Sequence, residues 1–195
     1  MFDNFAKEKQ DFLSKKDKSK KGSIDKDIVE LIEMINSSKN HYTTSSCAGR
    51  IVLLEMKSKK KNECGWIFAK HGKVAFNEIK KSLNEHSNKK IKNQIWFKQQ
   101  PLILHVACKD LDSANKLLAV SGKVFKHSTI KSITQRKVTV EIIGSERIDT
   151  IIADKNFIAD DDYIKNLIWY ANRNFLDNKK KGDKFLSLLK SIFAM

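Results

Sequence analysis

Tyr42-Thr43-Thr44-Ser45-Ser46-Cys47-Ala48-Gly49-Arg50 puts five hydroxyl side chains, a thiol, a glycine and an arginine directly ahead of an apolar run, Ile51-Val52-Leu53-Leu54. The 195-residue chain has only seven glycines and one proline, so the grouping stands out. Hydroxyls both donate and accept hydrogen bonds, Gly49 permits a tight or left-handed turn, and Arg50 offers a rigid fork of donors. Together they suit an anionic, oxygen-rich ligand. The same residues also suit a polar turn whose serines bond their own backbone. His71, His105 and Asp25 are the candidates for proton transfer, because histidine titrates near neutral pH and a carboxylate can accept. His105 lies in an apolar run, a position that equally fits a hydrogen-bonded core histidine, and Cys47 fits a packed thiol lining a pocket. No metal site is expected. His105 and Cys108 would point to opposite faces of a strand, and Cys64 and Cys108 lack C-x-x-C partners.

The elements that must position these groups follow from periodicity. Residues 3–15 read as an amphipathic helix, and Lys15 to Ser23 as a lysine-rich loop. Asp25 is expected to cap a helix whose core face is Ile28, Leu31, Ile32 and Ile35. The hydroxyl-rich stretch reads as a loop feeding a strand over 51–56 that is buried on both faces. A charged hairpin leads to a return strand at 64–70, then a helix over 74–85. A short strand at 94–98 sets Ile95 and Phe97 against Trp96. A second apolar strand spans 102–107. A helix over 112–121, capped by Asp110 or Asp112, ends at Gly122. Three more strands are expected near 128–134, 136–143 and 148–153. Ile164, Leu167, Ile168, Ala171 and Phe175 form a helical stripe, with Lys165, Trp169 and Arg173 as a basic-aromatic ridge beside it. Gly182 is expected to interrupt before a last helix carrying Phe185, Leu188, Leu189 and Ile192. Strands in runs joined by short loops predict an α+β fold with a mostly antiparallel sheet and packed helices. A coarse repeat of strand, hairpin and helix suggests an internal duplication. Neither a βαβ alternation nor a G-x-G-x-x-G supports a Rossmann fold. A single domain over 1–195 is expected, with a C-terminal helical extension from about 160.

Thirty-eight lysines and arginines against 23 acidic residues give a formal net charge of +15. That surplus favours a polyanionic partner such as nucleic acid, and the scarcity of arginine favours phosphate attraction over base reading. The apolar runs are too short to span a membrane. The start of the chain lacks a secretory leader pattern, so a cytoplasmic protein with reduced thiols is expected.

Ser45-Ser46-Cys47-Ala48-Gly49-Arg50 resembles the SSC-x-GR signature of the wybutosine-synthesis methyltransferases, the third protein of the tRNA wyosine pathway and its archaeal relatives. Asp17-Lys18-Ser19-Lys20-Lys21-Gly22-Ser23-Ile24-Asp25 is similar to the family's D-x-S-x-K-G-x-x-D segment. Asn36 stands where the family has an asparagine. Trp66 and His71 resemble its W-x4-H, His105-Val106-Ala107-Cys108 its HV-x-C, and Val140-Glu141-Ile142 its late VEI strand. Ala48 replaces a serine usual in the family, and Thr129 a glycine. The resemblance implies methyl transfer from S-adenosyl-L-methionine to N4 of a demethylwyosine-type base beside the anticodon of phenylalanine tRNA. It implies catalytic roles for His71, His105 and Asp25. Cofactor or substrate contacts would come from Ser19, Lys20, Ser45, Ser46, Cys47, Gly49 and Arg50. The alternative is a non-enzymatic RNA-binding module in which the serine-rich loop cradles phosphate.

Overall fold

The computed structural model describes residues 4–15, 24–57, 64–87 and 91–193. Ser19 and Lys20 lie outside the described residues. The chain divides into two compact units, one of Met1–Ala48, Leu102–Ser145 and Asn178–Met195, the other of Gly49–Pro101 and Glu146–Asp177.

The first unit is built on a four-stranded antiparallel sheet with the order β1 (His41–Cys47), β5 (Ile103–Cys108), β7 (Val138–Ile143), β6 (Thr129–Ile133). Alternation along β5 and β7 sends Leu104, Val106, Cys108, Val138, Val140 and Ile142 into one core, as period-two patterning requires. Against that face pack α2 (Val29–Ser37), α4 (Leu111–Ser121) and the later part of α5 (Asp161–Phe193). Phe125 meets Phe185 edge-on at 5.7 Å, a favoured aromatic geometry. On the opposite face α1 (Asn4–Leu13) lays Phe5 and Phe12 against Tyr42, with centroids 5.4 and 5.5 Å away.

The second unit has the order β3 (Cys64–Lys70), β2 (Arg50–Met56), β4 (Gln94–Gln100), β8 (Ile148–Ala153), also antiparallel. Ile51 to Leu54 are buried, as expected of a continuous apolar run with a partner on each side. Ile79 and Leu83 of α3 (Phe76–Ser87) and Ile164, Ile168 and Ala171 of α5 join that core. The fold is thus α+β with two four-stranded antiparallel sheets, as the element pattern predicts.

Three local expectations are corrected. The stretch read as a loop before residue 51 is strand β1 up to Cys47. Its hydroxyl residues leave the backbone free to pair with β5 on both sides of a bulge at Thr44, and tertiary pairing outweighs weak intrinsic preference. Asp25 precedes a 3-10 turn at Lys26–Ile28 but makes no side-chain cap there; its carboxylate turns to Ala48 instead. Gly182 does not break the last helix, since α5 runs unbroken from Asp161 to Phe193. A glycine inside a helix costs only ~1 kcal/mol relative to alanine. Here Gly182 sits against Leu102, and the burial of Phe185 and Leu189 next along α5 outweighs that cost. The caps of α4 match expectation: Asp110 accepts from the Ser113 N–H at 2.8 Å, and Gly122 closes the end.

Candidate active site

The face of the first sheet turned away from its core carries a row of candidate functional side chains. Register builds it. Ser45 is the cross-strand partner of His105, and His105 is the partner of Glu141, so the three stand in one row across β1, β5 and β7. A register shift between Thr43 and Ser45 makes this possible. Tyr42 also pairs with an outward residue, Ala107, at an odd spacing from Ser45 that a regular strand would send to the other face. The bulge at Thr44 restores the side, the kind of re-aiming that bulges provide. Thr44 Oγ1 donates to the His105 carbonyl at 3.2 Å and ties the bulge down.

Within the row, Ser45 Oγ lies 2.6 Å from His105 Nδ1, and His105 Nε2 lies 2.6 Å from Glu141 Oε2. Lys131 Nζ donates to the same Glu141 oxygen at 2.6 Å and lies 2.7 Å from Nε2. Lys131 first, and His105 second, hold the Glu141 carboxyl below the ordinary glutamate range. Ser45 is exposed, while the His105 and Glu141 side chains are each 22% exposed. The row therefore opens to solvent at its serine end.

The end of β1 is held from below. Asn36 Oδ1 accepts from the Thr43 N–H at 2.8 Å and from Thr43 Oγ1 at 3.2 Å. Buried Asp25 accepts from the Ala48 N–H at 2.8 Å, and Cys47 Sγ lies within 4.8 Å of an Asp25 carboxylate oxygen. Ser46 pairs with Leu104 and so takes the face opposite Ser45. One row along the outer face, Tyr42 donates to Glu8 at 3.1 Å and Lys137 pairs with Glu8. Lys137 holds Glu8 below its ordinary range.

The first unit thus brings Ser45 to His105, and Asp25 to Cys47. Gly49, Arg50 and His71 belong to the second unit. Gly49 takes a φ of 100°, open to glycine and strained for other residues. Arg50 Nε donates to Gln100 Oε1 at 2.5 Å, and its guanidinium lies 5.0 Å from the Trp66 ring centre. His71 is exposed just past β3, ahead of Gly72 at a φ of 150°. Glu141 stands in the VEI stretch but is not among the expected site residues, and Lys131 lies in none of the motifs. Alternation in Val138–Ile143 carried the signal for Glu141: a charged residue between two core positions must face outward.

The family model "Methyltransferase TYW3" matches residues 7–191. The chain is 34% identical to the tRNA(Phe) 7-((3-amino-3-carboxypropyl)-4-demethylwyosine(37)-N(4))-methyltransferase 1 of Pyrococcus abyssi, covering 94% of both chains. It is 31% identical to the tRNA wybutosine-synthesizing protein 3 homolog of Mus musculus, covering 95% of this chain and 72% of that one. Among solved structures, the PH1069 protein of Pyrococcus horikoshii superposes with a TM-score of 0.85 at 33% identity, over 95% of this chain and 96% of the other. The SSC-x-GR, HV-x-C and VEI stretches, which meet in the Ser45–His105–Glu141 row, therefore lie in a chain that belongs to the methyltransferase TYW3 family.

Proposed function

We propose that this chain methylates N4 of 7-(3-amino-3-carboxypropyl)-4-demethylwyosine at position 37 of tRNA(Phe), the activity in the name of the Pyrococcus abyssi relative, with S-adenosyl-L-methionine as donor. The observation that carries the reading is convergence. Three motifs far apart in sequence supply Ser45, His105 and Glu141 to one cross-strand row. A row of hydroxyl, imidazole and carboxylate is suited to moving a proton.

The donor supplies a methyl group on a sulfonium, transferred by in-line displacement. Such a donor needs acceptor atoms for its ammonium and ribose hydroxyls. The Asp25 carboxylate and the Ser45 hydroxyl offer acceptors in the first unit, so the residues present fit the group. Ser46 and Cys47 complete that strand end. Holding donor and base in line can supply up to ~7–11 kcal/mol of the barrier in ideal cases. We assign Gly49 and Arg50 of the second unit to the turn after β1 and to anionic oxygen, either carboxylate or RNA phosphate, and Ser19 and Lys20 to RNA contact. The net charge of +15 suits the anticodon arm, and binding should weaken steeply with salt.

The test is titration calorimetry with S-adenosyl-L-methionine, followed by transfer of labelled methyl to tRNA(Phe) bearing the demethylated base. Donor binding without RNA, and label retained on that tRNA alone, is the expected result. Retention of tRNA with neither donor binding nor transfer would favour an RNA-binding module instead.

A further inference from the structure

We propose that His105 takes up the ring proton released on methylation, relayed through the Ser45 hydroxyl, and that Glu141 with Lys131 holds the imidazole in the tautomer this requires; the proposal rests on the methyl-transfer reading above. A base that gains a methyl in place of a ring hydrogen must give that proton up. Among the first unit's candidates, Asp25 is buried and already accepts the Ala48 N–H, which suits binding. His105 instead sits behind an exposed hydroxyl.

The tautomer follows from the partners. Glu141, ionised beside Lys131, can only accept. Lys131 Nζ, which can only donate, also lies 2.7 Å from Nε2, but its hydrogens can turn to Glu141 Oε2 at 2.6 Å. The hydrogen of His105 is therefore assigned to Nε2, directed at Glu141 Oε2 2.6 Å away. Nδ1 is left as an acceptor, and Ser45 Oγ, 2.6 Å off, donates to it. The Ser45 oxygen then presents lone pairs to solvent, where an incoming N–H can donate. In the reaction the ring nitrogen bonds the methyl carbon, and the methyl–sulfur bond breaks with its electron pair going to sulfur. The ring proton passes to Ser45 Oγ, while the serine hydrogen passes to His105 Nδ1. The resulting imidazolium is held by the Glu141 carboxylate. Ser45 and His105 are thus catalytic residues, and Glu141 and Lys131 are positioning residues.

Among the described residues, the charged groups facing the ring are Glu141 from β7 and Lys131 from β6. The Glu8–Lys137 pair stands one row away, with Arg136 near Glu8. Removing the anion disfavours the imidazolium, and removing the cation favours it. These two effects have opposite signs, which a merely structural role would not produce.

The experiment is single-turnover methyl transfer across a pH series for the wild type and for Ser45→Ala, His105→Gln, Glu141→Gln, Lys131→Met and His71→Gln, with donor affinity measured calorimetrically for each. His105→Gln is expected to slow transfer roughly 10²–10⁴-fold, flatten the pH dependence and keep the donor Kd. Ser45→Ala is expected to slow it in the same sense. The pH of half-maximal rate is expected to fall in Glu141→Gln and rise in Lys131→Met. Wild-type rates in folded His105→Gln would overturn the relay, as would midpoints that move the same way in the two charge variants. So would a loss confined to His71→Gln. A folded wild type that binds donor but methylates no tRNA would overturn the parent reading and the relay with it.

Discussion

Replacing Asp25 with alanine should destabilise the chain by about 2 kcal/mol, the middle of the ~1.5–3 kcal/mol assigned to a hydrogen bond with a charged partner. The carboxylate is only 7% exposed and accepts the Ala48 N–H at 2.8 Å. Ala48 is itself buried at the end of β1, so water cannot replace the lost acceptor cheaply. For a chain of this size each kcal/mol moves the melting midpoint by ~2–4 °C, so a drop of roughly 4–8 °C is expected. Asp25→Asn keeps an acceptor oxygen and should lose about half as much, because a neutral bond is worth ~1 kcal/mol. Thermal unfolding by circular dichroism measures the midpoints, and hydrogen exchange on the peptide containing Ala48 locates the effect. An alanine variant with the wild-type midpoint and unchanged protection at Ala48 would refute the reasoning. Equal losses in the two variants would show that charge, rather than the acceptor, is what matters.

Other outcomes follow from the same geometry. His41 is buried, with Nε2 donating to the Ser113 carbonyl at 3.1 Å and Nδ1 accepting from Ser38 at 2.8 Å. Burial, helped by Lys9, holds its ring below the usual histidine range against the opposing pull of Ser113 and Asp110. The unfolded chain therefore takes up the proton first. Urea midpoints should be flat above about pH 6.5 and fall below it, and His41→Gln should flatten that acid limb. Gly182→Ala should stabilise by roughly 0.5–1 kcal/mol, since the added Cβ meets Leu102 Cδ1 at an ordinary 3.5 Å; a lower melting midpoint would contradict it. Phe97→Ala should cost ~3–5 kcal/mol in denaturant unfolding, because Phe97 is fully buried in the second core.

Much of the fold was legible because burial writes a period into sequence. The apolar run at 51–56, the Asp110 and Gly122 caps and the stripe from Ile164 to Phe175 each reported their element directly. β1 was illegible for the converse reason: its Thr-Thr-Ser-Ser run has no apolar alternation, and its strand state comes from pairing with β5. The role of Asp25 was hidden likewise, because its Ala48 partner lies 23 residues on and local chemistry offered a cap. The site was half legible. Motif resemblance named Ser45 and His105 singly, but Ser45 and His105 are 60 residues apart and His105 and Glu141 are 36 apart. Only strand register brings them into one row, and only the bulge at Thr44 turns Ser45 to the right side. Lys131 carried no signal beyond being one lysine among many.

The most direct measurement is nucleoside mass spectrometry of tRNA(Phe) carrying 7-(3-amino-3-carboxypropyl)-4-demethylwyosine after incubation with this protein and S-adenosyl-L-methionine. The prediction is one added methyl, assigned to N4, with little product from folded His105→Gln. An unmethylated base, or a methyl on any other nucleoside or ring atom, would contradict it.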